Sequence, residues 1–252
     1  MMDGLRMAVG TLTAVPVTAP RVIDVRVARR AMVLAPVAAI PLALLSSGTV
    51  LAGTAAGAPA LLTATVAIAL VVLACRGLHL DGLADTADGL SASYDRQRAL
   101  EVMRRGDVGP AGAVTLLLVV LVQVAALAGA ISAGHGVVAA ALAALASRQV
   151  LVLCCASGVP AARRDGLGGA VAGTVPVWQV VASTALWWAL CAAAAVVTGL
   201  PWWRGVLAAA AGTIAAALLT ARCVRRIGGV TGDVLGGCVE VAAAAVLVAL
   251  AW

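Results

Sequence analysis

Apolar residues run along this chain in long blocks. Seven stretches, at about 33–52, 58–75, 111–131, 136–157, 176–199, 205–221 and 234–252, carry few charges. Each comes near or exceeds the roughly 20 apolar residues that carry a helix across a bilayer core. The segments between them alternate in kind. Those near 53–57, 132–135 and 200–204 are short and almost uncharged, whereas those at about 76–110, 158–175 and 222–233 are rich in Gly, Asp and Arg. The pattern predicts an all-α, polytopic membrane helix bundle of about seven transmembrane helices, forming a single integral-membrane domain over 1–252. A shorter apolar run at 7–17 suits the membrane interface rather than a crossing.

Composition strengthens this reading. Hydrophobic residues are 63% of the chain and charged residues 11%, too little polar surface to cover a soluble protein of this size. A soluble enzyme, a disordered chain and a nucleic-acid binder are therefore excluded, and the lipid bilayer is the expected partner. All 17 basic residues are Arg, and they test the map independently. With a cytoplasmic N-terminus, fifteen of them fall on the inner side, only Arg204 lies outside, and Arg148 lies within a span. That is the skew of the positive-inside rule. Ten of the 11 acids fall on the same inner side, and Glu240 sits a turn or two inside the last span. The six Cys form no CxxC pair and lie in or beside apolar runs, as small packing residues do. Small-residue helices rich in Ala and Gly also allow close packing, including with a second copy of the chain.

The densest chemical feature follows the second span: His79-Leu80-Asp81-Gly82-Leu83-Ala84-Asp85-Thr86-Ala87-Asp88-Gly89. Asp81, Asp85 and Asp88 stand at i, i+4 and i+7, so a helix would carry all three carboxylates on one face. Three like charges there repel one another. A divalent cation removes that penalty, and hard oxygen ligands suit Mg²⁺ bound together with substrate phosphates. A solvated acidic helix end is the plain alternative. For His79 the roles of general base, phosphate donor and interfacial residue all stay open.

Three other segments on the same side place Arg among glycines, whose backbone N–H groups can approach an anion. They are Met103-Arg104-Arg105-Gly106-Asp107-Val108-Gly109, Ala162-Arg163-Arg164-Asp165-Gly166-Leu167-Gly168-Gly169, and Arg225-Arg226-Ile227-Gly228-Gly229-Val230-Thr231-Gly232-Asp233. The last three residues, Thr231, Gly232 and Asp233, open the final helix, whose N-terminal dipole favours phosphate. Arg148 and Glu240 are costly within hydrocarbon, which makes them functional candidates and a candidate pair.

With these residues laid out, the chain resembles the cobalamin synthases, or adenosylcobinamide-GDP ribazoletransferases. The likeness covers nearly the whole chain in order. It comprises Thr13-x-x-Pro16-Val17, the hallmark His79-x-Asp-Gly-Leu-Ala-Asp-x-x-Asp-Gly89, Leu100-Glu-x-Met-Arg104, Ser147-Arg148, Ala162-Arg163 with Asp165-Gly-Leu-Gly168, and Gly228-Gly-x-Thr-Gly-Asp233. Two segments depart from the family pattern: Arg105-Gly106-Asp107-Val108-Gly109 inverts its charges, and Glu240 is followed by Ala243 where a second Glu is usual.

The resemblance implies an enzyme of the bacterial cytoplasmic (inner) membrane with its active site facing the cytoplasm. It implies the Mg²⁺-dependent joining of adenosylcobinamide-GDP to α-ribazole, or its 5′-phosphate, with release of GMP. Asp81, Asp85 and Asp88 would then hold the metal, and Asp88 or His79 would accept the proton of the attacking hydroxyl. Arg104, Arg148, Arg163, Arg225, Arg226, Thr231, Gly232 and Asp233 would hold phosphate oxygens. The rivals are a Mg²⁺-dependent phosphatidyl- or prenyl-transferase and, outside enzymes, a transporter. Clustering of the acids at one face, rather than at the bilayer midplane, favours surface chemistry over transport.

Overall fold

A computed structural model describes residues 2–92 and 94–252. In chain order the helices are α1 (Met2–Leu12), α2 (Val25–Val33), α3 (Ala35–Ala38), α4 (Ile40–Ala55), α5 (Ala60–Ala74), α6 (Leu78–Ala92) and α7 (Arg96–Val102). There follow α8 (Pro110–Ser132), α9 (Gly136–Cys154), α10 (Gly166–Val171), α11 (Val177–Val197), α12 (Trp202–Ile227) and α13 (Gly232–Ala249). Among the described residues there is no strand, only two isolated bridges.

Among the described residues five helices, α8, α9, α11, α12 and α13, are long and apolar enough to cross a membrane. They coincide with the last five stretches expected from the sequence. The first two stretches are realised as shorter helices. The apolar run from 33 to 52 is interrupted at Ala39, where α3 ends and α4 begins. Pro36 and Pro41 explain the break, since a proline lacks the N–H and crowds the carbonyl four residues back. The second stretch ends at Ala74, and α6 then turns away from α5 by 88°. Arg76 (φ 58°) and Gly77 (φ 68°) make this corner, and the Arg76 guanidinium donates to the Gly10 carbonyl at 3.0 Å. α12 runs farther than expected because its polar end, including Arg222, Arg225 and Arg226, stays helical until Gly228 closes it in the left-handed conformation.

Leu117, Leu118 and Leu121 on α8, Val181 and Leu186 on α11, and Ile214 and Leu218 on α12 are exposed. Such a belt is unfavourable in water and natural in lipid. α9 and α13 form the buried centre, and α13 packs against α6, α8, α9 and α12. Small residues permit the approach. A Cβ on Gly212 of α12 would come within 2.8 Å of Val246 on α13.

The two ends of the bundle differ sharply. At one end, tight turns follow α4, α8 and α11, and His135 Nε2 lies 2.6 Å from the Leu250 carbonyl near the C-terminus. At the other, the three long polar segments fold onto one another. The segment after α9 and the one before α13 are stitched by Ala162 N–H to Val230 O and Val230 N–H to Pro160 O, both 2.9 Å. Arg96 donates to Ala162 O at 3.0 Å, and Arg104 pairs with Asp165 at 2.9 Å.

Candidate active site

The site is built where α6 crosses the start of α13. Gly82 makes the crossing: a Cβ there would lie 2.6 Å from the carbonyl oxygen of Asp233 and 2.8 Å from its Cα. A side chain would hold the helices apart. The glycine instead lets Asp81 and Asp85 come alongside Asp233.

Thr231 caps α13, accepting the Val234 N–H at 3.2 Å, and donates its hydroxyl to Asp233 at 3.1 Å. The same Asp233 oxygen accepts from Arg163 Nη2 at 3.0 Å. Asp85 is buried. Burial first, and then the nearby charges of Asp81, Asp233 and Asp88, push its carboxyl up to about 6, with Arg163 pulling the other way. Crowded carboxylates that raise one another's proton affinity offer the hard oxygen donors a divalent cation wants. As the side chains stand, no three His, Cys, Asp or Glu groups among the described residues converge as a ready cage. The chemistry of the donors, carboxylate oxygens, is the kind that Mg²⁺ takes.

Asp88 does something the spacing does not reveal. It is buried, and its two oxygens accept the N–H groups of Gly109 (2.7 Å) and Gly112 (2.8 Å). Those are unpaired donors in the first turn of α8, where a negative charge is also favoured. Asp88 therefore anchors the start of α8, a contact that its i+7 spacing from Asp81 does not announce. The Gly109 N–H is thereby taken by a side chain of this chain and is not offered to an external anion.

His79 and Arg148 lie deeper. Arg148 is buried on α9, with Nη1 3.0 Å from Ser147 Oγ and Nη2 3.4 Å from Cys75 Sγ and 3.3 Å from His79 Nδ1. A guanidinium only donates, so Nδ1 accepts and Nε2 carries the imidazole proton. That tautomer makes His79 a donor from Nε2, which does not suit a base. Glu240 approaches His79 Nδ1 at 4.0 Å and accepts from Gln123 at 2.8 Å. His79 Nδ1 thus stands between Arg148 and Glu240, the candidate pair. Arg148 is engaged by this interior network, away from the loops expected to hold phosphate.

The remaining expected residues divide. Arg163 and Asp233 meet at the site. Asp233, expected to help hold phosphate, brings a carboxylate and so joins the acids, while Gly232 lines the cavity beside it. Arg104 is exposed and paired with Asp165. Arg226 donates to the Leu90 carbonyl at 3.1 Å and covers the Tyr94 ring at 4.1 Å, which ties α12 to α6. Arg225 is exposed in the last turn of α12.

The sequence model of the cobalamin-5-phosphate synthase family matches residues 4–251. The chain belongs to that family. The adenosylcobinamide-GDP ribazoletransferase of Nocardioides sp. is 45% identical over 252 residues, covering 100% of this chain and 99% of the relative. That of Frankia casuarinae is 42% identical over 267 residues, covering 100% and 95%. A similarly named protein of Escherichia coli is 34% identical over 194 residues, covering 77% and 76%. No solved structure matches the chain.

For a cobalamin-5-phosphate synthase family member, two parts of the site escape sequence reasoning. One is α1, whose Gly10 and Thr11 line the cavity beside Asp81 and Asp233. An apolar run near the N-terminus reads as an interfacial segment and carries no mark of a cavity wall. The other is Arg96, which lines a polar cavity with Arg104 and Arg163. The local density of charge in 94–105 is the signal that could have found it.

Proposed function

We propose that this chain is an adenosylcobinamide-GDP ribazoletransferase. A ribose hydroxyl of α-ribazole, or of its 5′-phosphate, attacks the phosphorus that bears the cobinamide arm. A new P–O bond forms, the bond to the bridging oxygen breaks, and GMP leaves with the electron pair. The products are adenosylcobalamin, or its 5′-phosphate, and GMP. The observation that carries the reading is the Arg163–Asp233 contact, close enough to Asp81 and Asp85 for their charges to be felt, at one end of a chain of this family.

Asp81 and Asp85, with Asp233 beside them, would hold Mg²⁺, which when bound neutralises diphosphate charge and stabilises the leaving group. Arg163 reaches the same point and supplies a cation to the phosphate oxygens. The attacking hydroxyl gives its proton to a carboxylate of this group. His79, carrying its proton on Nε2, acts as a donor at the wall of the site. The polar end faces the cytoplasm of a bacterial inner membrane in this reading, with α4 and α5 as the first two crossings. The distribution of Arg supports that orientation.

The test uses the full chain purified in nanodiscs. It is mixed with adenosylcobinamide-GDP, α-ribazole and Mg²⁺, and GMP and cobalamin are followed by chromatography. Product that requires the metal and disappears in Asp85→Ala is the expected result. A folded wild type that makes no cobalamin, yet transfers to a lipid or isoprenoid acceptor, overturns the reading.

A further inference from the structure

Two cavities, one walled largely by aliphatic side chains and one holding three Arg, open on either side of the Arg163–Asp233 pair. The first, of ≈ 300 Å³, has a wall of Met32, Leu151, Leu167 and Leu235 and is lined also by Arg76, His79, Asp81 and Asp233. It continues past Gly10 and Thr11 on α1 into a recess lined further by Val17 and Ile23. The second, of ≈ 590 Å³, is lined by Asp95, Arg96, Gln97, Glu101, Arg104 and Arg163. Asp233 belongs to the apolar cavity and Arg163 to the polar one. Their 3.0 Å contact is therefore the partition between them.

Resting on the transfer reaction proposed above, we infer that the apolar cavity seats the base of the acceptor nucleoside and the polar cavity takes the guanosine diphosphate end of the donor. The base of α-ribazole is a flat benzimidazole bearing only methyl groups, with no exocyclic hydrogen-bonding group. A leucine and methionine wall suits it. The diphosphate finds Arg96, Arg104 and Arg163 on the opposite side, where guanidinium groups can bind phosphate oxygens in pairs. Small-ligand sites occupy about 300–1,000 Å³, and both cavities fall in that range.

The arrangement also matches the geometry of the chemistry. Phosphoryl transfer needs the attacking and leaving oxygens roughly in line, on opposite sides of phosphorus. An acceptor seated on one side of the partition and GMP on the other places them so, with the Arg163–Asp233 pair between.

The inference is tested by narrowing each cavity in the full chain in nanodiscs. Leu167→Trp and Thr11→Trp fill the apolar cavity from two different walls, and Gln97→Trp narrows the polar one. The first two raise KM for α-ribazole about tenfold or more and leave KM for adenosylcobinamide-GDP little changed, whereas Gln97→Trp does the reverse. Equilibrium dialysis of α-ribazole against the wild type, with no metal or donor present, shows saturable binding that Leu167→Trp abolishes. If both apolar-cavity variants keep the wild-type KM for α-ribazole while cobalamin still forms, the cavity assignment falls and the transfer reaction stands. If the wild type makes no cobalamin yet binds α-ribazole, and Leu167→Trp loses it, the reaction falls and the cavity assignment stands. A rise in KM for α-ribazole in Gln97→Trp equal to that in Leu167→Trp also overturns the assignment.

Discussion

The guanidinium of Arg163, on the segment after α9, donates to the Asp233 carboxylate in the first turn of α13 at 3.0 Å. The oxygen it reaches also accepts the Thr231 hydroxyl. Two donors on one oxygen fix the carboxylate's direction. The single cation also offsets part of the repulsion among Asp81, Asp85 and Asp233. The contact joins two loops 70 residues apart in the chain, so the acidic and basic halves of the site form together.

Replacing Arg163 by Gln removes the cation and leaves the carboxylates facing one another. Loss of a preorganised electrostatic contact of this kind costs about 10²-fold in turnover. Arg163→Lys keeps the charge but lacks the planar fork, so it recovers only part of the loss. Steady-state kinetics on both variants check this, and a Gln variant with wild-type kcat/KM would remove Arg163 from the site.

Asp88 is expected to act through stability. In Asp88→Ala the N–H groups of Gly109 and Gly112 lose their acceptor in a buried place, which costs about 1–3 kcal/mol for each unsatisfied group. Thermal unfolding in detergent should therefore shift down clearly for Asp88→Ala and less for Asp88→Asn, which keeps one acceptor oxygen. Asp85→Ala should lose activity with little change in unfolding temperature. Equal melting of Asp88→Ala and wild type would return Asp88 to the catalytic candidates.

The contrast between these two acids shows what the sequence carries and what it does not. Apolar block length locates α8, α9, α11, α12 and α13 closely, because hydrophobic length is a local property. Arg76-Gly77 marks the corner before α6, since it ends the apolar run with a charge and a residue free to take positive φ. The i, i+4, i+7 spacing puts Asp81, Asp85 and Asp88 on one helix face but says nothing of what each meets. Asp88 meets the start of α8, 21 and 24 residues later, while Asp85 lies within reach of the charge on Asp233. Those are tertiary choices, and local spacing is blind to them. Arg148 is similar: its burial was legible from its place in a span, whereas the interposed His79 was not.

The interior network gives a prediction about charge exchange. Arg148 touches His79, and Glu240 is held by Gln123. A swapped pair, Arg148→Glu with Glu240→Arg, would face partners chosen for the original charges, with no direct ion pair to recreate. Removing one member of a buried charged set costs about 3–5 kcal/mol. Either single change should lower folded yield and unfolding temperature, and the double change should not recover them. Recovery in the swap, measured by thermal unfolding in detergent, would show that Arg148 and Glu240 interact directly.

Gly82 offers the most direct test of how the site is assembled. A methyl group there would meet the Asp233 carbonyl oxygen at 2.6 Å and its Cα at 2.8 Å, both backbone atoms that no rotamer change can move aside. α6 and α13 would have to part, carrying Asp81 and Asp85 away from Asp233 and Arg163. Gly82→Ala should therefore lose activity by about 10²-fold, since a displacement near 1 Å costs that much, together with a lower unfolding temperature. Gly48→Ala on α4 is the control: a Cβ there meets nothing within 4 Å, and alanine is the better helix former. Its unfolding temperature should hold or rise, with activity unchanged. Full activity in Gly82→Ala would mean that the two helices need not meet for the reaction to proceed.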